Sequence, residues 1–467
     1  MCVFRKIKTK LRQQSIPAGK LIAYSFLVII LIGSILLTLP FTNKITPTSY
    51  INNLFVATSA VCVTGLSPIV VREQYNVLGQ LILIVLVQIG GLGFMTFLFL
   101  FLNIVRSKIT LRNRALFQEA LSQDNLALLP RLLRTIFIYT FGMELLGALL
   151  FSLVFVPEFG LIRGIYYGFW HAVSGFCNAG FDLLGSTSLI KYQLNPAINF
   201  IVCMLIITGG IGFRVVLDLY DKWQNESHKK TYFSFSRYCH SLMLHTKVVL
   251  ITTLILLVSG TLLFLTMEFS NPATIGTFDP GQKLMVSFFQ STTTRTAGFA
   301  TVDMASMNRV TKMMMCVYML IGGSPASTAG GIKTVTFAMM VIMIYCVING
   351  KSEVVIFNRR IKKRIMNQAL SIVSISIAIC IVALMMLLTI EPHIEVLDLA
   401  MEVFSAFGTV GLSCSVTPQL CSLSKLIVIV LMYTGRIGPI SMMFLFSTRN
   451  ARRQSEIKYP DEDVLIG

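Results

Sequence analysis

A short segment with a small or polar residue, a glycine and then Leu or Phe at its core stands in four copies at nearly constant spacing, and that recurrence restricts the chain to a repeat architecture. The segments are Cys62-Val63-Thr64-Gly65-Leu66, Cys177-Asn178-Ala179-Gly180-Phe181, Thr294-Arg295-Thr296-Ala297-Gly298-Phe299-Ala300-Thr301 and Gly408-Thr409-Val410-Gly411-Leu412. Their glycines, at 65, 180, 298 and 411, stand 115, 118 and 113 residues apart. A spacing so even argues for four copies of one structural unit. Each copy follows a semi-apolar stretch of half-helix length (52–61, 164–176, 282–293 and 395–407) and precedes a long apolar run.

Those runs belong in a bilayer. Of 467 residues, 55% are hydrophobic and 13% charged, too apolar for a soluble chain of this length. A helix needs about 20 apolar residues to cross about 30 Å of hydrocarbon. Runs of that kind lie at 21–40, 74–105 (without a charged residue), 135–156, 192–213, 248–267, 313–350, 365–390 and 426–448. Paired around the glycine segments, they predict an all-α membrane protein: eight transmembrane helices and four re-entrant loops, arranged as four M1–P-loop–M2 repeats around a central pseudo-fourfold axis. The repeats cover 21–105, 130–220, 246–350 and 365–448, between tails at 1–20 and 449–467. With the N-terminus inside, inner segments hold 28 Lys and Arg and outer segments nine, while Lys333 and Arg436 fall within spans. The asymmetry obeys the positive-inside rule and places both termini in the cytoplasm. It also accounts for the net charge of +18 without a nucleic-acid partner. No small-residue cleavage site follows the first run, which reads as an uncleaved span. The ten cysteines form no Cys-x-x-Cys pair, and Cys203, Cys316, Cys346 and Cys380 lie inside apolar runs. They read as small buried hydrophobes, not a disulfide framework or zinc site.

Four short loops, each entered by a half-helix, match what a cation path requires: backbone carbonyls replacing hydration water at successive levels. Glycine permits the backbone that turns carbonyls inward, and the half-helices aim their negative C-terminal ends at the centre. The coordinating set is then Val63, Thr64 and Gly65; Asn178, Ala179 and Gly180; Thr296, Ala297 and Gly298; and Thr409, Val410 and Gly411. Variation at the first position is tolerable where carbonyls coordinate the ion. Between 24 and 29 residues after each glycine comes a second motif: Gly90-Gly91-Leu92-Gly93-Phe94, Gly209-Gly210-Ile211-Gly212-Phe213, Gly322-Gly323-Ser324-Pro325 and Gly435-Arg436-Ile437-Gly438-Pro439. Glycines inside a span let helices approach or bend.

The third of these motifs opens a break at 321–333 in a run of 38 residues. Gly322, Gly323, Ser324, Ala326, Ser327, Thr328, Gly330 and Gly331 cannot hold a continuous helix. Irregular backbone at membrane depth must be buried in protein or line a watery cavity, so the stretch reads as a gate beneath the glycine segments, weighed against a static kink. Lys333 either holds this loop or snorkels to the inner interface. Arg436 is costly in a span and must face a cavity or partner; it can repel cations, bond loop carbonyls, or both. Glu144 has no clear assignment beyond pairing with a neighbouring span. Arg295 is expected to pair with Asp182 or Glu402. Glu73, Glu158, Glu268, Asp279, Asp303, Glu391, Glu395 and Asp398 are outer acids that would raise local cation concentration. The five histidines lack metal-ligand spacing. There is no nucleophile–base pair and no Walker-type loop, which argues against an enzyme.

On the four glycine segments and the broken third M2, the chain resembles the Ktr/Trk/HKT superfamily of potassium transporters over nearly its whole length. It is most similar to the KtrB-type membrane subunits, because the first span begins directly after a short basic tail where Trk-type subunits carry extra spans. The resemblance implies that Gly65, Gly180, Gly298 and Gly411 are filter glycines. None is replaced by the serine that marks Na⁺-permeable relatives, so K⁺ is the expected transported ion. It implies an intramembrane gate loop at 321–333 with an arginine at 436. It further implies a homodimer in the bacterial inner membrane on a KtrA-like ring of nucleotide-binding cytoplasmic subunits, and no organic cofactor in this chain. Na⁺ coupling stays open, since no Na⁺ site can be read. The competing reading, a secondary transporter of another cation or solute, requires inverted repeats and polar midplane residues. A scaffold or receptor gives no reason for the glycine pattern.

Overall fold

The computed structural model describes residues 18–93, 129–227, 234–351 and 353–438. The tails at 1–17 and 449–467, the loop 106–128, Phe94, Pro439 and the far ends of the runs 74–105 and 426–448 lie outside the described residues, as does the side on which the termini sit.

The described chain is helical apart from one short hairpin. Its main helices are α1 (Ala18–Thr38), α2 (Tyr50–Cys62), α3 (Val77–Leu92), α4 (Leu129–Phe159), α5 (Leu161–Cys177), α6 (Pro196–Gly210), α7 (Phe213–Ser227), α8 (Leu244–Glu268), α9 (Pro280–Thr293), α10 (Arg309–Leu320), α11 (Thr334–Ile348), α12 (Lys363–Ile390), α13 (Val396–Gly408) and α14 (Ser422–Ile437). The hairpin, β1 (Val355–Ile356) with β2 (Arg359–Arg360), turns through Phe357 and Asn358, both at positive φ. By length and apolarity, α8, α12 and Leu133–Phe159 within α4 can each cross a membrane unaided.

Of the other runs, 21–40 forms the undivided helix α1, while the rest end, bend or break at glycines among the described residues. The expected span at 192–213 is α6, which ends at a 92° bend through Ile211-Gly212 into α7. Gly212 has φ +98, which an L side chain rarely adopts, and α7 beyond it carries charged residues. The run at 74–105 begins as α3, whose described part closes at Gly93 with φ +78. The run at 313–350 is α10 and α11, separated by residues 321–333.

Local chemistry sets the starts. Asn76 accepts the Gly79 N–H at 3.0 Å to cap α3, and Asn195 caps α6 ahead of Pro196. Asp279 and Gln282 form a capping box on α9, again ahead of a proline. Two acids that read as outer charges are instead buried caps. Glu268, at the end of α8, accepts from the Asn308 N–H (2.9 Å), Thr274 Oγ1 (2.8 Å), Asn271 Nδ2 (2.6 Å) and Thr311 Oγ1. Glu391, after α12, accepts from the Cys421 N–H and Ser424 Oγ, both at 2.8 Å. Each carboxylate thereby satisfies the open first turn of the next membrane helix. Glu268→Ala is expected to lower stability by about 3 kcal/mol, because buried donors lose a charged acceptor. The readout is the apparent melting temperature in detergent, with Glu268→Gln recovering part of the loss.

The packing between hairpins runs in a closed circuit. α3 lies against α5, α6 against α9, α10 against α13, and α14 returns to α2. Glycines make these approaches close. A Cβ on Gly90 would overlap Val61 O, one on Gly209 would overlap Phe176 O, and one on Gly435 would overlap Phe407 O. The second glycine motif is thus a seat for the buried end of a short helix, and at Gly212 also a bend.

Candidate functional site

Three of the short helices, α2, α5 and α13, end in the same way. Val63, Asn178 and Thr409 take left-handed backbone with φ of 56, 59 and 53°. The next N–H, of Thr64, Ala179 or Val410, returns to the carbonyl of Ser59, Ser174 or Ser405 at 2.8 Å. This is a Schellman closure with a non-glycine residue in the left-handed position. After α9 the chain takes one more turn before Thr296 reaches φ +67. Gly65, Gly180, Gly298 and Gly411 follow at φ +93, +66, +79 and +100. Left-handed residues at alternate positions turn successive carbonyls to one side, at a cost that persists only where surroundings enforce it.

The four glycines meet in cyclic order. A Cβ on Gly65 would lie 2.6 Å from Ala179 O, and one on Gly180 would lie 2.7 Å from Ala297 O. One on Gly298 would overlap Val410 O, and one on Gly411 would overlap Thr64 O. The sequence-derived residues from all four segments are therefore brought together in one ring of contacts, carbonyl next to glycine. Side-chain oxygens of Thr64, Asn178 and Thr409 are buried there without a hydrogen-bond partner. Above the glycines is a vestibule of about 450 Å³ whose walls include Asp182 and Asp303.

Four hydroxyl residues brace the segments, and sequence reasoning missed them. The Gly65 N–H donates to Ser59 Oγ and the Gly411 N–H to Ser405 Oγ, both at 3.0 Å. Ser174 Oγ donates to Phe181 O at 2.6 Å and Thr293 Oγ1 to Phe299 O at 2.7 Å. The signal was available: a Ser or Thr stands five or six residues before every one of the four glycines.

Residues 321–333 fold into a loop directly against these segments. Its ends are pinned by the Gly322 N–H on Ile332 O (2.9 Å) and the Ile332 N–H on Leu320 O (3.1 Å). Ala326 and Gly331 turn it at φ +54 and +63. A Cβ on Gly330 would overlap Thr409 Oγ1, and Thr328 Oγ1 donates to Phe176 O at 3.2 Å. Ser324 N–H donates to Gly210 O at 2.9 Å, and Ser327 Oγ to Ser324 O at 2.6 Å. The Thr334 N–H donates to Gly323 O at 3.0 Å. Two cations hold the loop from inside: Lys333 Nζ donates to Ala329 O at 2.6 Å, and the Arg436 guanidinium donates to Thr328 O and Gly90 O. Arg436 therefore joins the loop to α3.

Other assignments change. Arg295 forms no ion pair with Asp182 or Glu402; it is buried, and its Nη1 has no partner. Each acid already has a nearer partner, since Asp182 accepts from the Leu184 N–H at 2.9 Å and Glu402 from Thr417 Oγ1 at 2.5 Å. Of the outer acids, Glu158 pairs with Lys191, Asp398 with Lys312 at 2.7 Å and Glu395 with Arg309 at 3.4 Å. Asp279 caps α9, Glu73 is exposed outside the vestibule lining, and Asp303 stands with Asp182 on the vestibule wall. Glu144 does pair with a neighbouring helix, accepting from Gln88 Nε2 of α3 at 2.9 Å. Among the described residues, no three His, Cys, Asp or Glu converge as a metal site.

The family model described as TrkH, cation transport protein, matches residues 6–455. "Potassium/sodium uptake protein NtpJ" of Enterococcus hirae is 38% identical over 466 residues, covering 99% of either chain. "Ktr system potassium uptake protein B" of Bacillus subtilis is 40% identical over 448 residues, 96% of either chain. The crystal structure of the potassium transporter TrkH from Vibrio parahaemolyticus aligns with a TM-score of 0.70 over 93% of this chain and 86% of that one; at 17% identity, the likeness concerns the fold. With the match running almost from end to end, this multi-pass helical membrane protein belongs to the TrkH family of cation transport proteins.

Proposed function

We propose that the chain is the conducting subunit of a potassium uptake system, built as four M1–P-loop–M2 repeats around a pseudo-fourfold pore. The observation that carries this reading is the cyclic contact of Gly65, Gly180, Gly298 and Gly411 with the carbonyls of Ala179, Ala297, Val410 and Thr64. In this reading a K⁺ ion exchanges its hydration shell for carbonyls of the four segments Val63–Gly65, Asn178–Gly180, Thr296–Gly298 and Thr409–Gly411. The C-terminal ends of α2, α5, α9 and α13 point partial negative charge at the same place. The loop 321–333 is the gate, with Lys333 and Arg436 as its latches. The driving force is the membrane potential, about 2.3 kcal/mol per charge per 100 mV. Transport involves no covalent step, and the function is not enzymatic. Relatives named for potassium and for sodium uptake support a monovalent cation as cargo and make Na⁺ the second ion to test. The working assembly is a homodimer in the bacterial inner membrane, termini inside, on a KtrA-like nucleotide-binding ring.

The test is growth at low K⁺ of a bacterial strain without its own potassium uptake, carrying this chain with and without a KtrA-like partner. Rescue by the pair, with Rb⁺ flux that excess K⁺ suppresses, is the expected result. No rescue and no Rb⁺ flux from chain demonstrably in the membrane would overturn the reading. Repeating the uptake with and without Na⁺ decides the coupling.

The vestibule adds a pH dependence. Burial pushes the Asp182 carboxyl up from 3.8 to about 6, against the Leu184 and Gly185 backbone and the Ser188 hydroxyl, which pull it down. A raised value means the negative charge is present at neutral pH and is lost as pH falls through about 6. The KM for Rb⁺ is expected to rise about threefold on acidifying the outside below that value, as focusing of cations weakens. Asp182→Asn should show the higher KM at every pH and no transition.

A further inference from the structure

The position immediately before each left-handed residue is filled differently in the four segments: Cys62, Cys177, Arg295 and Gly408. Behind the second of these stands a carboxylic acid that the proposed transport reading does not use. Glu144 lies midway along α4 and is 3% exposed. Its Oε1 accepts from Gln88 Nε2 of α3 at 2.9 Å. Cys177, the last residue of α5, directs its thiol at Gln88 Oε1 (3.6 Å) and Glu144 Oε1 (3.9 Å). Gly91 leaves room for that thiol, since a Cβ there would lie 2.6 Å from the sulfur. The acid therefore joins α3, α4 and α5 at the residue adjoining Asn178. Asn178 Nδ2 in turn reaches Arg295 O and Thr296 Oγ1, both at 3.4 Å, so the third segment leans on the second.

A leucine would fill the Glu144 site without desolvating a carboxyl group. An ionisable residue inside a span is expensive and is found where the bundle interior uses it. The use available here is geometric, because ion discrimination by carbonyls depends on how many dipoles are held, and where. Residues supporting such a shell can change its output strongly through small displacements.

We propose that Glu144 is a positioning residue for ion selectivity, fixing the second filter segment by tying the end of α5 to α3 through Gln88 and Cys177. The inference rests on the filter reading given above. Its test is Rb⁺ uptake into proteoliposomes containing the full chain, with competing K⁺ or Na⁺ outside and the ratio of their inhibition constants as readout. Glu144→Leu is expected to lower the preference for K⁺ over Na⁺ about tenfold, the scale of one lost hydrogen bond. Glu144→Gln keeps an acceptor for Gln88 and Cys177 and should stay within about twofold of the parent chain. Gln88→Leu should reproduce the loss, and the double variant should lose no more than either single one, because both remove one interaction.

An unchanged ratio in Glu144→Leu or in Gln88→Leu overturns the proposal. So does a loss that Glu144→Gln shares in full, which would assign the effect to charge and not to position. Should Glu144→Leu fail to accumulate in the membrane, Gln88→Leu decides by itself. A parent chain without Rb⁺ flux, or indifferent between K⁺ and Na⁺, overturns the filter reading and takes this inference with it.

Discussion

Replacing Gly298 by serine is expected to reduce Rb⁺ uptake by about 100-fold or to convert the residual flux to one that Na⁺ inhibits as well as K⁺. Gly298 sits at φ +79. A Cβ there would overlap Val410 O and come within 3.1 Å of Gly411 Cα and 3.3 Å of Gly180 Cα. These are backbone atoms, so no rotamer can relieve the contact. Either the Val410 carbonyl moves or the third segment flips its backbone, and both change the set of dipoles in the proposed filter. Gly142→Ser is the control. Gly142 lies on α4 with nothing within 4 Å of a Cβ, and its replacement should leave uptake and selectivity unchanged. Wild-type selectivity in Gly298→Ser would mean that the glycine ring is not the selective element.

Truncating Arg436 should act in the opposite direction on rate. The guanidinium donates to Thr328 O of the loop and to Gly90 O and Gly91 O of α3, the last at 3.4 Å. Hydrogen bonds from a charged donor contribute about 1.5–3 kcal/mol each, so Arg436→Ala is expected to raise unstimulated Rb⁺ uptake about tenfold by freeing the loop and removing a cation from the path. The same variant carrying Ser327→Cys should react faster with a membrane-impermeant thiol reagent applied from the inside. Arg436→Lys retains the charge but cannot reach both carbonyls with a planar fork, and should lie between the two. A rate and a thiol reactivity both equal to the parent's would return residues 321–333 to the static kink that was the alternative to a gate.

How far these arguments were visible in the amino-acid sequence depends on how local the physics is. The stretches 52–61, 164–176, 282–293 and 395–407 become α2, α5, α9 and α13 because composition acts within a few positions, joined at α9 by the Asp279–Gln282 capping box. The break at 321–333 was legible for the same reason, as Gly, Ser and Pro in that density disrupt a helix wherever it sits. Arg295 was misassigned because matching charges along a sequence ignores nearer partners: Thr417 holds Glu402, and the Leu184 N–H holds Asp182. Glu268 and Glu391 counted as surface charge although both are buried caps, since position near a span end does not distinguish a solvated acid from one closing a helix. Of the partners of Arg436, a loop carbonyl was expected and Thr328 O supplies it, but Gly90 O on α3, 346 residues away, could not be read.

The circuit of short helices has a consequence for biogenesis. Three of its four joints link elements made in succession, α3 with α5, α6 with α9 and α10 with α13. The fourth, α14 on α2, is fastened by Lys425 Nζ on Asn52 Oδ1 at 3.0 Å, across 373 residues, and by the Tyr433 hydroxyl on Ala23 O at 2.7 Å, across 410. During synthesis the first three joints can form while the seat for α14 on α2 stands open. Only arrival of the last helix fastens the two ends of the chain to each other, so assembly of the circuit is completed after synthesis of α14 and not before.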